Sequence, residues 1–257
     1  MKKQIMDFKV VENRRLHTMY SLLRLTPADG APVPDARPGQ FVQVAVDGSK
    51  TTFLRRPISI NFIDRRTNEL WLLVRKAGAG TERLCEYSVG DPLNLIIPLG
   101  NGFSVPHKSD SRVLLIGGGV GVAPLLEFGN VLRNSGFAPE FLLGARSEND
   151  LLELDCFRSV GPVHVSTDDG SAGHKGVVTL NPVLSQAWDH IYCCGPAPMM
   201  KAVAAVAREI GADCEVSLEN MMACGIGACL CCVENTVKGN VCVCTEGPVF
   251  NINQLTW

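Results

Sequence analysis

Val113-Leu-Leu-Ile-Gly-Gly-Gly-Val-Gly-Val-Ala-Pro124 is a run of buried-type aliphatic residues that breaks into glycine and then into a segment with helical spacing. It reads as a strand, a tight turn and a helix start, the context in which a nucleotide loop works. Glycine lets the backbone approach a pyrophosphate, and the free amides of a helix N-terminus receive it. Gly117, Gly119 and Gly121 are therefore candidate cofactor-binding positions. The run contains G-x-G but not G-x-G-x-x-G, and no acidic residue stands at the usual distance to hold a ribose. A plain dinucleotide fold of the dehydrogenase type is thus disfavoured.

Downstream, the pattern alternates strand and helix. A helix is expected over Ala123–Asn134, strands near Glu140–Leu143, Val163–Ser166 and His190–Cys194, and a second long helix over Ala197–Ile210. Repeated units of this kind build a parallel sheet covered on both faces. Cys193-Cys-Gly-Pro-Ala-Pro-Met-Met also sits at a strand end and opens a helix. Cys194 and Gly195 are candidates for the neighbourhood of a nicotinamide ring; the plainer alternative is a buried thiol, the usual fate of free cysteine.

Upstream, the first hundred residues read as short strands: Asp7–Glu12, Tyr20–Leu25, Phe41–Val46, Pro57–Ile63, Leu70–Val74 and Leu93–Ile97. Proline and glycine punctuate them at Pro27, Gly30, Pro38-Gly39, Gly90 and Pro98, which suits a small antiparallel barrel. Two barrel segments carry chemistry. In Arg55-Arg-Pro-Ile-Ser-Ile, Arg56 and Ser59 are expected to face one cavity, the guanidinium fork for a phosphate and the hydroxyl for a ring nitrogen. In Leu73-Val-Arg-Lys-Ala-Gly-Ala-Gly-Thr81 a strand end leads through glycine to Thr81, expected at the N-cap of a helix running to about Glu86. Each is matched by a bland reading, a surface cation and a capped helix.

The tail is the most specific stretch. Cys224, Cys229 and Cys232 are separated by four and two residues, the C-x4-C-x2-C spacing of a plant-type 2Fe-2S site, and Cys244 follows after eleven more. Gly225 and Gly227 free the backbone to point amides at inorganic sulfide. Zinc is the competitor, but structural zinc sites more often read C-x2-C twice. Cys231 and Cys242 each lie next to or two residues from one of these cysteines and are open alternatives; Val241-Cys-Val-Cys244 alternates like a strand, so Cys242 and Cys244 would share a face and spacing does not choose between them.

Composition sets the frame. The chain has 257 residues, 46% hydrophobic, which is ample for two or three cores. With 24 basic and 26 acidic residues and no block of like charge, neither nucleic acid nor an anionic membrane is implied. Asp7 and Lys9 interrupt the N-terminus before a signal-peptide core forms, and no apolar run nears the ~18 residues of a membrane span, so a cytoplasmic location is expected. Eleven cysteines there argue for metal ligation or buried thiols over disulfides. The expected division is 1–105 for the barrel, 106–215 for the α/β domain with a hinge at Pro106-His-Lys-Ser-Asp-Ser, and 216–257 for a cysteine module.

Arg56-Pro-x-Ser59, Gly80-Thr81, the glycine turn ending in Ala123-Pro124, and Cys194-Gly-Pro occur in the order seen in the ferredoxin reductase superfamily, which this chain resembles. The tail, Glu219-Asn-Met-Met-Ala-Cys-Gly-Ile-Gly-Ala-Cys-x-x-Cys with Cys-Thr-Glu-Gly-Pro-Val-Phe after it, resembles the electron transfer subunits of the dihydroorotate dehydrogenase B family. The resemblance implies FAD in the barrel, contacted by Arg56, Pro57, Ile58 and Ser59, by Leu73, Val74 and Arg75, and by Gly80 and Thr81. It implies one 2Fe-2S cluster on Cys224, Cys229, Cys232 and Cys244, and NAD as a diffusible acceptor. It further implies a partner, the FMN-bearing catalytic subunit that oxidises dihydroorotate in pyrimidine biosynthesis, in a heterotetramer of two of each subunit. Many members of the superfamily end in an aromatic residue that covers the flavin; Trp257 is not assigned that role.

Hydride chemistry needs a two-electron cofactor and a cluster passes single electrons, so a flavin is the natural bridge. All three modules are then occupied and none is left for a dihydroorotate site, so the chain is expected to be a subunit. The alternatives are the flavin and iron-sulfur subunit of another NAD(P)H-linked complex, such as a ferredoxin-NAD(P) reductase, a stand-alone reductase, and a zinc-bearing scaffold.

Overall fold

The structure is a computed structural model that describes residues 2–49 and 51–257. Six strands form an antiparallel barrel: β1 (Gln4–His17), β2 (Tyr20–Pro27), β3 (Phe41–Val44), β4 (Arg56–Asp64), β5 (Glu69–Arg75) and β6 (Pro92–Leu99). They close in the order β1-β2-β5-β4-β3-β6, with β1 pairing back onto β6 from Gln4↔Ile97 to Lys9↔Pro92. Alternate residues fill the interior, among them Phe8, Leu23, Val42, Ile60, Leu72 and Leu95, each at most 1% exposed. That period-two burial is why the strands were legible as alternating runs. The helix α1 (Ala79–Leu84) follows β5.

The second sheet is built from β7 (Val113–Gly118), β8 (Glu140–Ala145), β9 (Val163–Thr167), β10 (His174–Lys175), β11 (His190–Cys194) and β12 (Asp213–Ser217), with helices α2 (Ala123–Asn134), α3 (Leu154–Val160) and α4 (Ala197–Ile210). Helices α2 and α4 occupy the expected ranges. α3, β10 and β12 are additions to the sequence reading. All pairings from β10 through β12 are parallel. The central strand β7 is wholly buried, which only a sheet covered on both faces allows.

The tail does not form the expected continuous strand over Val241–Cys244. It makes a two-stranded hairpin of β13 (Val233–Thr236) and β14 (Gly239–Cys242), a one-turn helix α5 (Val243–Glu246), and β15 (Val249–Asn251), which joins β12 antiparallel at the sheet edge. β14 ends at Cys242, and Val243 and Cys244, both buried, open α5. Cys242 and Cys244 therefore do not share a strand face.

The chain divides into two compact units. One comprises the barrel to Gly102 with Asn220–Glu234 and Asn240–Pro248; the other comprises Phe103–Glu219 with Asn235–Gly239 and Val249–Trp257. Among the described residues no helix is long and apolar enough to cross a membrane.

The second unit centres on an aromatic trio. Phe128 of α2 stacks on Phe103 with ring centroids 5.0 Å apart and meets Tyr192 of β11 edge-on at 4.6 Å. Phe128→Ala is expected to cost about 3–5 kcal/mol of stability, seen as a lower urea midpoint; an unchanged midpoint would contradict this account of the core.

Candidate functional site

The cysteine loop is shaped by backbone that only glycine adopts cheaply. Gly225 and Gly227 sit at φ +70° and +86°, in the left-handed region. The loop's amides consequently turn inward onto sulfur. The amide of Ile226 donates to Cys224 Sγ at 3.5 Å and that of Cys229 to the same sulfur at 3.4 Å. Gly227 donates to Cys244 Sγ at 3.1 Å, and the Cys244 amide donates to Cys232 Sγ at 3.4 Å. Three thiols and four amides thus form one network, and Cys229 enters it through its amide. Desolvation works against ionising Cys224, but the amides of Ile226, Cys229 and Ala228 bring its thiol down to about 6. Burial and the neighbouring Cys232 push Cys244 the other way, to about 12.

Exposure grades across the four. Cys244 and Cys232 are buried, at 0% and 2%, Cys224 is half-buried and Cys229 is exposed. Cys242, half-buried at the cap of α5, has no place in the amide network, and Cys231 is exposed. Among the described residues no three His, Cys, Asp or Glu side chains gather so as to grip a single metal ion. What the thiols share is a shell of amide donors, the environment an anionic iron-sulfur cluster requires.

The loop is anchored within its own unit. Asn101 Nδ2 donates to the carbonyls of Thr245 and Glu246, both at 3.0 Å, and the Asn101 amide donates to Gly247 O at 2.6 Å. Gly225 lies directly on Gln43 of β3: a Cβ there would fall 2.6 Å from Gln43 Cγ. Neither Asn101 nor Gln43 carries a motif, so the sequence reading passed over both.

Within the barrel the structure brings Arg56 and Gly80 together. A Cβ on Gly80 would lie 2.5 Å from Arg56 Nε, so glycine makes room for the guanidinium. Arg56 Nη1 donates to Leu54 O at 2.9 Å, whereas Arg55 is committed to the scaffold through Gln43 O, Asn94 O and the Asn94 side chain. Arg56 is therefore the arginine of the pair whose head is left at the site. Ile58 and Ile60 point into the barrel, so Pro57 and Ser59 stand on the outer face of β4, and the expectation of one shared cavity does not follow from the strand.

Thr81 is also placed differently. The N-cap of α1 is Gly78, and α1 ends at Leu84. Thr81 lies inside the first turn, where its hydroxyl accepts from the Ala77 amide at 2.8 Å and donates to Gly78 O at 3.1 Å. It braces the turn by satisfying an end amide. Leu73 and Val74 are buried and Arg75 is exposed, so the first two offer a ligand only main chain.

In the second unit, the glycine turn and Cys194-Gly195 meet. β7 and β11 are parallel neighbours with Gly117 opposite Cys194. The sheet runs from β7 to β8 in one direction and places β11 on the other side, so a topological switch point falls between β7 and β11. Ligands of open α/β sheets bind at the carboxyl ends of such strands. Gly121 presses on the backbone of Cys194 and Gly195, leaving no room for a side chain, while a Cβ on Gly117 would lie 2.8 Å from Val122 Cγ1. Close packing thus requires both glycines, and Gly119 is required by φ +56°. Cys194 is 8% exposed, and burial, with Glu219 nearby, raises its thiol to about 12. Trp257 is placed on α4, its ring 5.4 Å from Lys201 Nζ and its carbonyl accepting from Arg208 at 2.8 Å.

Residues 219–256 match the family model of the iron-sulfur cluster binding domain of dihydroorotate dehydrogenase B, and residues 115–205 match the oxidoreductase NAD-binding domain. The chain is 42% identical over 228 residues to the electron transfer subunit of dihydroorotate dehydrogenase B (NAD(+)) of Shouchella clausii, covering 86% of each chain. To the subunit of the same name from Lysinibacillus sphaericus it is 41% identical, covering 94% of this chain and 95% of that one. Among solved structures it is similar to an NADH-dependent reduced ferredoxin-NADP oxidoreductase studied for flavin-based electron bifurcation, with TM-score 0.86, 28% identity, and 97% and 90% of the two chains covered. The FAD/NAD binding domain of nitric oxide dioxygenase from Vibrio cholerae, at 24% identity and TM-score 0.70 over 82% of this chain and 98% of that one, shares the fold.

The network generates a prediction about the fourth thiol. Cys244→Ser is expected to abolish iron and acid-labile sulfide, and Cys242→Ser to retain both, as read by metal analysis and visible absorbance. Retention in the first variant with loss in the second would reverse the assignment.

Proposed function

The chain belongs to the family of dihydroorotate dehydrogenase B electron transfer subunits, and on that premise we propose the following division of labour among its residues. Cys224, Cys229, Cys232 and Cys244 hold the 2Fe-2S cluster. Arg56 to Ser59, Leu73 to Arg75 and Gly80-Thr81 hold FAD. NAD meets the turn carrying Gly117, Gly119 and Gly121 and the end of β11 at Cys194-Gly195. The observation that carries the reading is the amide network on the cysteine sulfurs.

The protein is an oxidoreductase subunit with an iron-sulfur domain and an NAD-binding domain, and it passes electrons between a catalytic partner and NAD+. When bound, FAD supplies exchange between the hydride pair of the nicotinamide and the single electrons a 2Fe-2S cluster carries. The chain's own groups do the rest. Arg56 presents a charge-assisted donor fork to a phosphate, and the glycine beside it clears the approach. The glycine turn offers unobstructed backbone to a pyrophosphate. Buried Cys232 and Cys244 keep water from one side of the thiolate set, while exposed Cys229, flanked by exposed Ile226 and Leu230, marks the side open to a partner.

The family names support a catalytic partner subunit. The finer reading is an FMN-bearing subunit that oxidises dihydroorotate in the cytoplasm, with two copies of each chain. The expected result is NAD+ reduction when dihydroorotate is added to the complex purified by a tag on this chain, and its loss when the partner is stripped away. The similarity to a ferredoxin-NADP oxidoreductase favours a second reading. A preparation that reduces a nicotinamide with reduced ferredoxin, and not with dihydroorotate, would establish that one.

Arg56→Ala is expected to weaken flavin retention by about 1.5–3 kcal/mol, the worth of a charge-assisted contact. Equal FAD occupancy after extended dialysis would remove Arg56 from the site.

A further inference from the structure

Gln43 stands out among the polar side chains of the barrel. It lies on β3 between Val42 and Val44, both of which point into the core, so its side chain leaves the outer face. Its register neighbours are Pro57 on β4 and Ile96 on β6, neither of which offers a side-chain partner for an amide. Yet Gln43 is 0% exposed, and both Nε2 and Oε1 lack a hydrogen-bond partner. Its main-chain carbonyl accepts from Arg55 Nη1 at 3.2 Å, so the strand is held while the carboxamide is left over.

What buries it is the cysteine loop. Gly225, next to Cys224, sits so close that a Cβ there would meet Gln43 Nε2 at 2.6 Å. A carboxamide carries two N–H donors, and buried polar groups are seldom left unpaired. Four main-chain amides already turn onto the sulfurs of this loop. Sulfide and thiolate sulfur are acceptors, and hydrogen bonds to them favour the more negative, reduced state of a cluster.

We propose that the Gln43 carboxamide is a side-chain donor to the sulfur shell of the cluster held by the Cys224–Cys232 loop, extending the loop's amide cage from the barrel wall. The proposal rests on the 2Fe-2S reading above. It gives β3 two tasks, closing the barrel and setting the electrostatics of the cluster.

The test uses the complete chain purified with its cofactors. Gln43→Met keeps length and removes both donors; Gln43→Asn keeps the donors but withdraws them by one methylene. Measured are iron, acid-labile sulfide and FAD content, the electron paramagnetic resonance spectrum of the reduced protein, and the cluster and flavin potentials by spectroelectrochemical titration. Gln43→Met is expected to retain iron, sulfide and FAD, shift the g values, and lower the cluster potential while the flavin potential holds. Gln43→Asn is expected to move the cluster potential in the same direction, and it decides the matter if the Met variant does not fold. An unchanged cluster spectrum and potential, or a shift confined to the flavin, would overturn the proposal. Wild-type protein without iron and sulfide would overturn the cluster reading itself, which separates the two failures.

Discussion

The turning of main-chain amides onto cysteine sulfur is the constraint on which the rest of the first unit depends. Peptide N–H groups point inward only if the chain reverses within a few residues, and Gly225 and Gly227 supply that at positive φ. Leu230, a non-glycine residue at φ +57°, continues the curvature at a cost of about 1–2 kcal/mol. A loop in such conformations needs external support. It receives it from Gln43 beneath Gly225 and from Thr245 Cγ2, which lies 2.8 Å from where a Cβ on Gly227 would be, while Asn101 holds the α5 segment. The glycines are thus doubly specified, by torsion and by contact.

Much of this was legible in the residues. The barrel strands were readable because each keeps period-two burial around one core, and α2 and α4 because apolar spacing and a proline in the first turn mark their starts. α3 escaped notice because it has seven residues and begins after Glu153 at φ +53° without a side-chain cap. β15 escaped because three residues at a sheet edge carry no pattern of their own. Val241–Cys244 misled because alternation of valine and cysteine imitates a strand, whereas the strand stops at Cys242 and Val243 opens α5.

The site was legible where chemistry dictates residue type and obscure where packing does. Thiolate spacing and glycine placement follow from what a cluster needs, so the C-x4-C-x2-C run could be read as part of an iron-sulfur region, and residues 219–256 match such a family model. Gln43 could not be read so. In Phe-Val-Gln-Val-Ala-Val a single polar residue reads as the solvent face of a barrel strand, and only packing distant in sequence converts that face to interior. Thr81 is the converse case, a hydroxyl expected at the N-cap that lies instead inside the first turn and bonds to Ala77 and Gly78. Gly117 and Gly121 are read in both ways at once, because the approach that admits a pyrophosphate also admits a neighbouring backbone.

The division of the chain has a consequence for electron flow. The cysteine segments Asn220–Glu234 and Asn240–Pro248 belong to the same compact unit as the barrel, whereas the glycine turn and Cys194-Gly195 belong to the other. Single-electron transfer needs fixed distances and no contact chemistry, so two bound redox groups held as proposed gain from sharing one packed body. Hydride exchange has the opposite requirement. The nicotinamide must arrive, react in contact and leave, and the site proposed for it is built from turns at strand ends, where burial raises the Cys194 thiol. On the proposed assignment, the permanent cofactors fall to a closed barrel with an anchored loop and the diffusible one to the strand ends at the β7/β11 switch point of a parallel sheet.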